Sequence, residues 1–231
     1  MNAGLSRRAA MMAALGAGGL LATGCELVGL QWRYRYRLTV SLVRGSDTRS
    51  GSGVIEIVRS KGYSGIGSDI NGEAIVVDLP GRAPLFVLLS STRWGSNWPS
   101  IVPHHAFSKQ LGTTDMVNEK VLTKLANLKG VKVVLDTDLY PEFAMFSDVQ
   151  VPSTIEHVDE GAVPHILQGY SIDKLEMEIV DLPVTTGLYS RLPWLRDQHG
   201  AITRPDITKS ALDQPFSSQI TEASFIQGSV K

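Results

Sequence analysis

The chain has one cysteine among its 231 residues, so no disulfide can form within it and the fold depends on its hydrophobic core. Neither sign of charge dominates, because 22 basic and 23 acidic side chains leave a net charge of −1. Nucleic acid binding calls for a basic surface, and this balance argues against that partner. The apolar run at residues 9–22 is shorter than the roughly 20 residues that a membrane-spanning helix needs.

What the N-terminus does contain is built like a bacterial export signal. Arg7 and Arg8 form a positive start. The uncharged stretch at 9–22 follows, and the small residue Gly24 then precedes Cys25. This order of a basic, an apolar and a small-residue segment predicts a cleaved signal peptide at 1–24. Paired arginines occur in both secretory and twin-arginine signals, so both export routes are open.

The sole cysteine follows the small residues at which such a signal is cut. Residues 21–25, with the sequence LATGC, resemble a bacterial lipobox. The resemblance implies that Cys25 becomes the first residue of the mature protein and carries lipid on its sulfur and its amino group. Lipidation would also consume a thiol that is a liability in an oxidising compartment. A signal that is cleaved without lipidation, and a buried helix, are the alternatives.

We therefore predict a lipid-anchored protein of the cell envelope that faces the periplasm. Its partner would be the lipid bilayer, through Cys25. Glu26 is not the aspartate associated with inner-membrane retention in enterobacteria, and that resemblance favours the outer membrane. Signal cleavage removes two of the 22 basic residues and none of the 23 acidic ones, which changes the net charge from −1 to −3. This charge also argues against a polybasic membrane footprint.

The clearest structural signal is the alternation that begins at Trp32. Aromatic and aliphatic side chains occupy every second position up to Leu42, and mostly polar ones lie between them. A period of two over this length predicts a β-strand with its apolar face toward the core. Three arginines point outward on this strand: Arg33, Arg35 and Arg37.

The remaining patterns predict an α+β fold with a mainly antiparallel sheet and one or two short helices. Glycine and serine predict a turn region at 45–53 and a loop at 62–72. Further strands are predicted at 54–58, 74–79, 85–89, 131–135, 143–146 and 175–179. The domains are a lipidated tether at 25–31, a β-rich domain at 32–195 and a polar C-terminal extension at 196–231, in which a last strand is predicted at 223–227.

Helices are predicted in two places. The first would be capped by Thr114 or Asp115 and would end at Gly130, where a glycine can terminate a helix. The second would span 163–167. The stretch at 93–110, which includes His104 and His105, is predicted to be a surface connection.

The outward arginines suit an anionic ligand such as a phosphorylated sugar or a lipid headgroup. Rows of this kind more often form a solvated strand face, and Glu176 and Glu178 are candidate partners for them. We predict a binding or structural module with an envelope protein or an anionic ligand as its partner. The candidate ligand-binding residues are Arg33, Arg35 and Arg37.

A membrane-tethered hydrolase is the alternative. Asp136 and Asp138 follow a predicted strand, and carboxylates in that position can act as acid and base. His104 and His105 would complete the site. No third carboxylate and no histidine spacing typical of zinc accompanies them, so we predict no metal and no cofactor and assign no catalytic residue.

Three segments carry a family resemblance: YRYRLTV at 34–40, DLPVTTG at 181–187 and RLPWL at 191–195. They resemble segments of a family of uncharacterised proteobacterial lipoproteins, and the similarity spans 32–195. The resemblance implies no activity, and no site residue is carried over from it. Pro183 and Pro193 frame a rigid segment in which Trp194 is predicted to fill the core or a surface groove.

Overall fold

The computed structural model describes residues 30–210 and 213–228, and in this part of the chain two antiparallel sheets are accompanied by short helices. The prediction of a mainly antiparallel α+β fold is confirmed. The larger sheet has six strands in the order β10-β3-β2-β1-β9-β6. These are β1 (Gln31–Arg44), β2 (Asp47–Gly62), β3 (Gly65–Glu73), β6 (Lys132–Val134), β9 (Ser171–Val180) and β10 (Ile226–Gln227).

The smaller sheet has four strands in the order β4-β5-β7-β8. The chain passes into it at Ala74, directly after β3. One face of this sheet packs against the larger sheet, and the other packs against the C-terminal part of the chain. Its strands are β4 (Ile75–Val77), β5 (Leu85–Val87), β7 (Phe143–Phe146) and β8 (Ile155–His157).

The two faces of β1 differ as its alternation predicts. We call the face that carries Tyr34, Tyr36 and Leu38 the inner face of the larger sheet, because these side chains are buried in the main core. The opposite face, which carries Arg33 and Arg35, is the outer face. Strand pairing extends each face across neighbouring strands, since side chains alternate in register.

The predicted turn region at 45–53 is wrong beyond its first residues. The chain turns at Gly45 and Ser46, and β2 already begins at Asp47. Gly51 and Gly53 serve the packing of the two sheets instead of a turn. A Cβ atom on Gly51 would lie 2.3 Å from the carbonyl oxygen of Val76. The glycine therefore lets the smaller sheet approach β2 closely.

The predicted loop at 62–72 is also shorter than expected. Gly62 ends β2, Tyr63 and Ser64 form the turn, and residues 65–72 belong to β3.

Three helices cover part of the inner face: α1 (Trp98–Ala106), α2 (Ser108–Leu111) and α3 (Glu119–Ala126). The prediction of a surface connection at 93–110 is therefore wrong. Trp98 is fully buried, and its Nε1 donates a hydrogen bond of 2.8 Å to the carbonyl oxygen of Leu139. Pro99, which suggested a loop, lies instead in the first turn of α1, where proline is tolerated, and Trp98 fills the core.

The predicted boundaries of α3 were wrong at both ends. Asn118 is the N-cap, and its side chain accepts a hydrogen bond from the backbone of Lys120. The helix ends at Ala126, before the predicted Gly130. The strand that follows, β6, confirms the predicted strand at 131–135, but burial was also expected there and is wrong: β6 lies at the edge of the sheet beside β9 only, and Val134 is 59% exposed.

The C-terminal part of the chain forms a second core on the far face of the smaller sheet. Residues from the predicted polar extension contribute to it, among them Ile202, Ile220 and Phe225. Trp194 is partly buried and packs against this core: its Nε1 donates to the carbonyl oxygen of Val149 at 2.9 Å, and its ring meets Phe225 edge to face. Three short helices complete the fold: α4 (Val163–Ile166), α5 (Leu188–Arg191) and α6 (Phe216–Gln219).

Candidate functional site

The predicted ligand-binding arginines lie together on the outer face, and a glutamate from the neighbouring strand holds two of them. Glu56 of β2 pairs with Arg35 in the strand register. Its carboxylate accepts 2.7 Å from Arg35 Nε and 3.2 Å from Arg33 Nη1. The Glu56 side chain is nearly buried between them. Charge-assisted bonds of this kind are stronger than neutral ones, so both guanidinium groups are already oriented by the protein.

Arg37 makes an equivalent contact with β9, the strand on the opposite side of β1 from β2. It bonds to the carboxylate of Glu178 on β9, a partner that the sequence suggested. Lys132 on β6 lies 3.5 Å from Glu176 and 3.7 Å from Glu178. The outer face is thus a row of opposite charges that largely balance one another across the strands. An anionic ligand would have to compete with Glu56 and Glu178 for the arginines.

Within the described residues no hydrogen bond or ion pair joins the four residues of the hydrolase alternative, and only His104 and His105 are neighbours, because they are consecutive in the chain. Asp138 forms an exposed ion pair with Arg93 at 3.6 Å. The ring of His105 packs against Trp94, with ring centroids 5.3 Å apart. Asp136 precedes the short helical turn that begins at Thr137, and it makes no side-chain cap bond there. In residues 30–210 and 213–228 no group of three or more metal-ligating side chains occurs.

His104 is the member of this set that departs most from the predicted surface connection. It belongs to α1, and its side chain is fully buried on the inner side of the larger sheet. Burial, helped by the positive charges of Arg59 and His105 and opposed by Asp115, lowers the pKa of His104 to about 4. The imidazole is therefore neutral at pH 7.

A shallow cleft of about 200 Å³ lies beside Asp138. Ser90, below its rim, donates a 2.7 Å hydrogen bond to Glu142, and burial raises the pKa of Glu160 with help from the nearby Asp159. Among the described residues no serine in or beside this cleft donates to a histidine, as nucleophilic catalysis would require. Its polar lining includes Ser91, Arg93, Asp138, Glu142, His157 and Glu160.

The inner face carries a buried polar cluster that we did not predict. It consists of Tyr34, Arg59 and His104, all less than a tenth exposed. Arg59 donates 2.9 Å to the carbonyl oxygen of Met116 and also bonds to Ser68. Its Nε, both ring nitrogens of His104 and the hydroxyl of Tyr34 have no hydrogen-bond partner in the described chain. Buried polar atoms of this kind are usually satisfied by a partner or by water.

Two electrostatic effects follow from this burial. Removal from water lowers the pKa of Arg59 and raises the pKa of Tyr34, with each partly offset by the other group. No carboxylate forms an ion pair with Arg59 within the described ranges. One sequence signal pointed here: Arg59 breaks the apolar run of β2 at an inward position.

Cys25, Arg7 and Arg8 lie outside the residues that the structure describes. Over 30–210 and 213–228 no helix combines the length and apolar character needed to cross a bilayer.

Comparison of the chain with protein-family models, with curated proteins and with solved structures finds no match. The resemblance to a lipoprotein family therefore stays a prediction.

Proposed function

We propose that this chain is a lipid-anchored protein of the bacterial cell envelope. In this proposal Cys25 carries the lipid, residues 25–31 are the tether, and the β-rich domain faces the periplasm as a binding or structural module. Glu26 favours the outer membrane over the inner one. The observation that carries the proposal is the position of the lone cysteine, six residues before the first strand at Gln31.

The arrangement of the first strand supports a short tether. β1 is a central strand of the larger sheet, with β2 on one side and β9 on the other. Six residues of extended chain reach at most about 20 Å. A lipid on Cys25 would therefore hold the starting end of β1 close to the membrane surface, and the rest of the sheet would extend away from it.

The outer face supports a role in binding or assembly over one in catalysis. It is a broad strand surface with balanced charges, and Arg33 at its starting end has a half-exposed side chain. Such a surface suits a protein partner of complementary charge pattern, because rim charges of this type steer association and set orientation. An anionic ligand is the second class of partner, and Arg33 is the most accessible arginine for it.

The anchor is tested by the substitution Cys25→Ser in a strain that expresses the full precursor. We expect the wild type to fractionate with outer membranes and to show a lipid-modified N-terminal residue by mass spectrometry. The variant should be found in soluble or unprocessed form, since serine offers no thiol for lipid attachment. Glu26→Gln is the matched control, because it alters the neighbouring residue and leaves the thiol in place.

An unmodified mature N-terminus at another position would refute the anchor. Lipidated protein in the inner membrane would refute only the outer-membrane assignment. The export route is tested separately by substituting lysine for both Arg7 and Arg8. This double substitution blocks twin-arginine export and leaves secretory export intact.

The hydrolase alternative remains a separate proposal with its own test. No contact among Asp136, Asp138, His104 and His105 in the described structure favours it. We expect Asp136→Ala and His105→Ala to complement a deletion strain as fully as the wild type does. Loss of complementation by both variants at normal protein levels would support the enzyme instead.

A further inference from the structure

Three apolar side chains are exposed together at the end of the larger sheet where the chain enters it. Leu30 is 55% exposed, Val117 is 62% exposed, and Tyr63 is fully exposed. We call Leu30, Tyr63 and Val117 the entry rim. Single exposed apolar residues are common on protein surfaces, but a group at one end of a sheet marks a candidate contact surface.

Strand register places Leu30 and Tyr63 on the same end of the sheet. The backbone N–H of Lys61 donates 2.9 Å to the carbonyl oxygen of Leu30. The β2–β3 hairpin continues past this point and turns at Tyr63 and Ser64. Two further residues of strand extend by about 7 Å, so the hairpin tip projects beyond Leu30. It projects past the end of the sheet at which β1 begins.

Val117 is held next to this hairpin by two contacts. Arg59 on β2 donates to the carbonyl oxygen of Met116 at 2.9 Å, and Lys61 bonds to Glu119 at 2.6 Å. The segment between these two contacts contains Val117. The loop before α3 therefore completes the rim beside the hairpin.

The chemistry of the rim suits the boundary between lipid headgroups and water. Tyrosine combines an apolar ring with a polar tip and is enriched at that boundary. Lys61 is paired with Glu119, and Lys129 is paired with Asp181 at 2.7 Å, so these two cations are neutralised within the protein. The contact should therefore depend more on the apolar side chains of the rim than on the charge of the lipid.

We propose that the entry rim rests in the headgroup layer of the membrane to which the protein is anchored, with Tyr63 as its deepest side chain. The inference rests on the proposed lipid anchor, because the tether of six residues restricts this end of the sheet to within about 20 Å of the lipidated residue. The rim would fix the orientation of the domain, so that the outer face stands upright from the membrane and is open to partners.

The test compares the two turns at opposite ends of β2. Ser64→Cys and Ser46→Cys introduce a thiol beside the entry rim and at the far hairpin, which are separated by about 50 Å of strand. Lipidation of Cys25 leaves each new cysteine as the sole reactive thiol. Full-length lipidated protein, with its anchor verified by mass spectrometry, is labelled with an environment-sensitive fluorophore and reconstituted in phosphatidylcholine vesicles.

A nitroxide on the lipid headgroup should remove roughly half or more of the fluorescence at position 64 and little at position 46, since it quenches labels at headgroup depth. Adding Tyr63→Ser to Ser64→Cys should reduce that quenching clearly. The matched substitution Ile207→Ser, at a 98% exposed apolar residue in the C-terminal segment, should leave it unchanged.

Equal quenching at 64 and 46, or no effect of Tyr63→Ser, would overturn the proposal. A label at 64 that is shielded from aqueous iodide but not quenched by the headgroup nitroxide would show that a protein, such as a second copy of this chain, covers the rim instead. An unlipidated Cys25 would react with the fluorophore and would be detected by mass before reconstitution. That result would refute the anchor itself, so the two failures are distinguishable.

Discussion

The inner and outer faces of the larger sheet carry polar groups in opposite ways. On the outer face Arg33 and Arg35 share the carboxylate of Glu56, and the charges are compensated next to water. On the inner face Arg59 of β2 and His104 of α1 are buried, and no carboxylate of the described chain bonds to either. Paired charges at a surface add little stability, whereas unpaired buried ones cost free energy. Substitutions on the outer face should therefore change the stability of the fold little, whereas substitutions on the inner face should lower it.

The largest difference in stability between the two faces is expected for substitutions at the adjacent residues Arg37 and Leu38. Leu38→Ala should lower the free energy of unfolding by about 2–5 kcal/mol, because Leu38 is fully buried and its removal leaves a cavity. Arg37→Ala, on the outer face, should lower it by about 0.2–1 kcal/mol. Urea unfolding of both variants checks the comparison. Similar losses would show that the outer ion pairs contribute as much as the core.

The buried histidine should make the inner face sensitive to acid. Because the pKa of His104 is about 4 in the folded protein and near 6.5 when unfolded, the unfolded chain takes up the proton first as the pH falls. The free energy of unfolding should drop by about 3 kcal/mol from this group between pH 7 and pH 4. Urea unfolding across that range should show a shallower pH dependence for His104→Leu.

The control for this experiment is His199→Gln, which replaces an exposed histidine and should keep the wild-type pH dependence. If the free energy of unfolding of His104→Leu depends on pH as steeply as that of the wild type, His104 is not the group that causes the loss of stability in acid.

A third comparison uses two glycines in the larger sheet. Gly51→Ala should lower the free energy of unfolding by about 1–3 kcal/mol, because the added carbon would overlap the backbone of Val76 and force the two sheets apart. Gly67→Ala is matched to it, since a carbon at that position meets no atom within 4 Å. In thermal unfolding, Gly51→Ala should lower the midpoint temperature and Gly67→Ala should leave it unchanged. Equal midpoint temperatures for the two variants would mean that the sheets can move apart without loss of stability.

Local patterns predicted the strands well where one face is buried. The alternation from Trp32 to Leu42 predicted β1 with both faces correctly oriented, because the side-chain period of a strand is set by backbone geometry. Predictions failed where tertiary contact overrides composition. Gly51 and Gly53 look like turn residues, and only the approach of the smaller sheet explains them as strand.

In the candidate site, too, the sequence predicted some contacts and missed those that depend on tertiary structure. The sequence suggested that Glu178 could pair with an outward arginine, and Arg37 bonds to it. It did not reveal Glu56, since that pairing requires the register of β1 against β2. His104 was predicted in a loop because nothing local indicates that α1 buries it against β2.

The sequence by itself determined the position of the lone cysteine and the period of β1, since both are properties of consecutive residues. Only the tertiary structure decided which charges are paired, which histidine is buried and which apolar residues meet at the entry rim. These depend on strand register and on contacts between segments far apart in the chain, such as the bond from Lys61 to Glu119. Contacts of that kind arise from the fold as a whole, because burial is a property of neighbours in space.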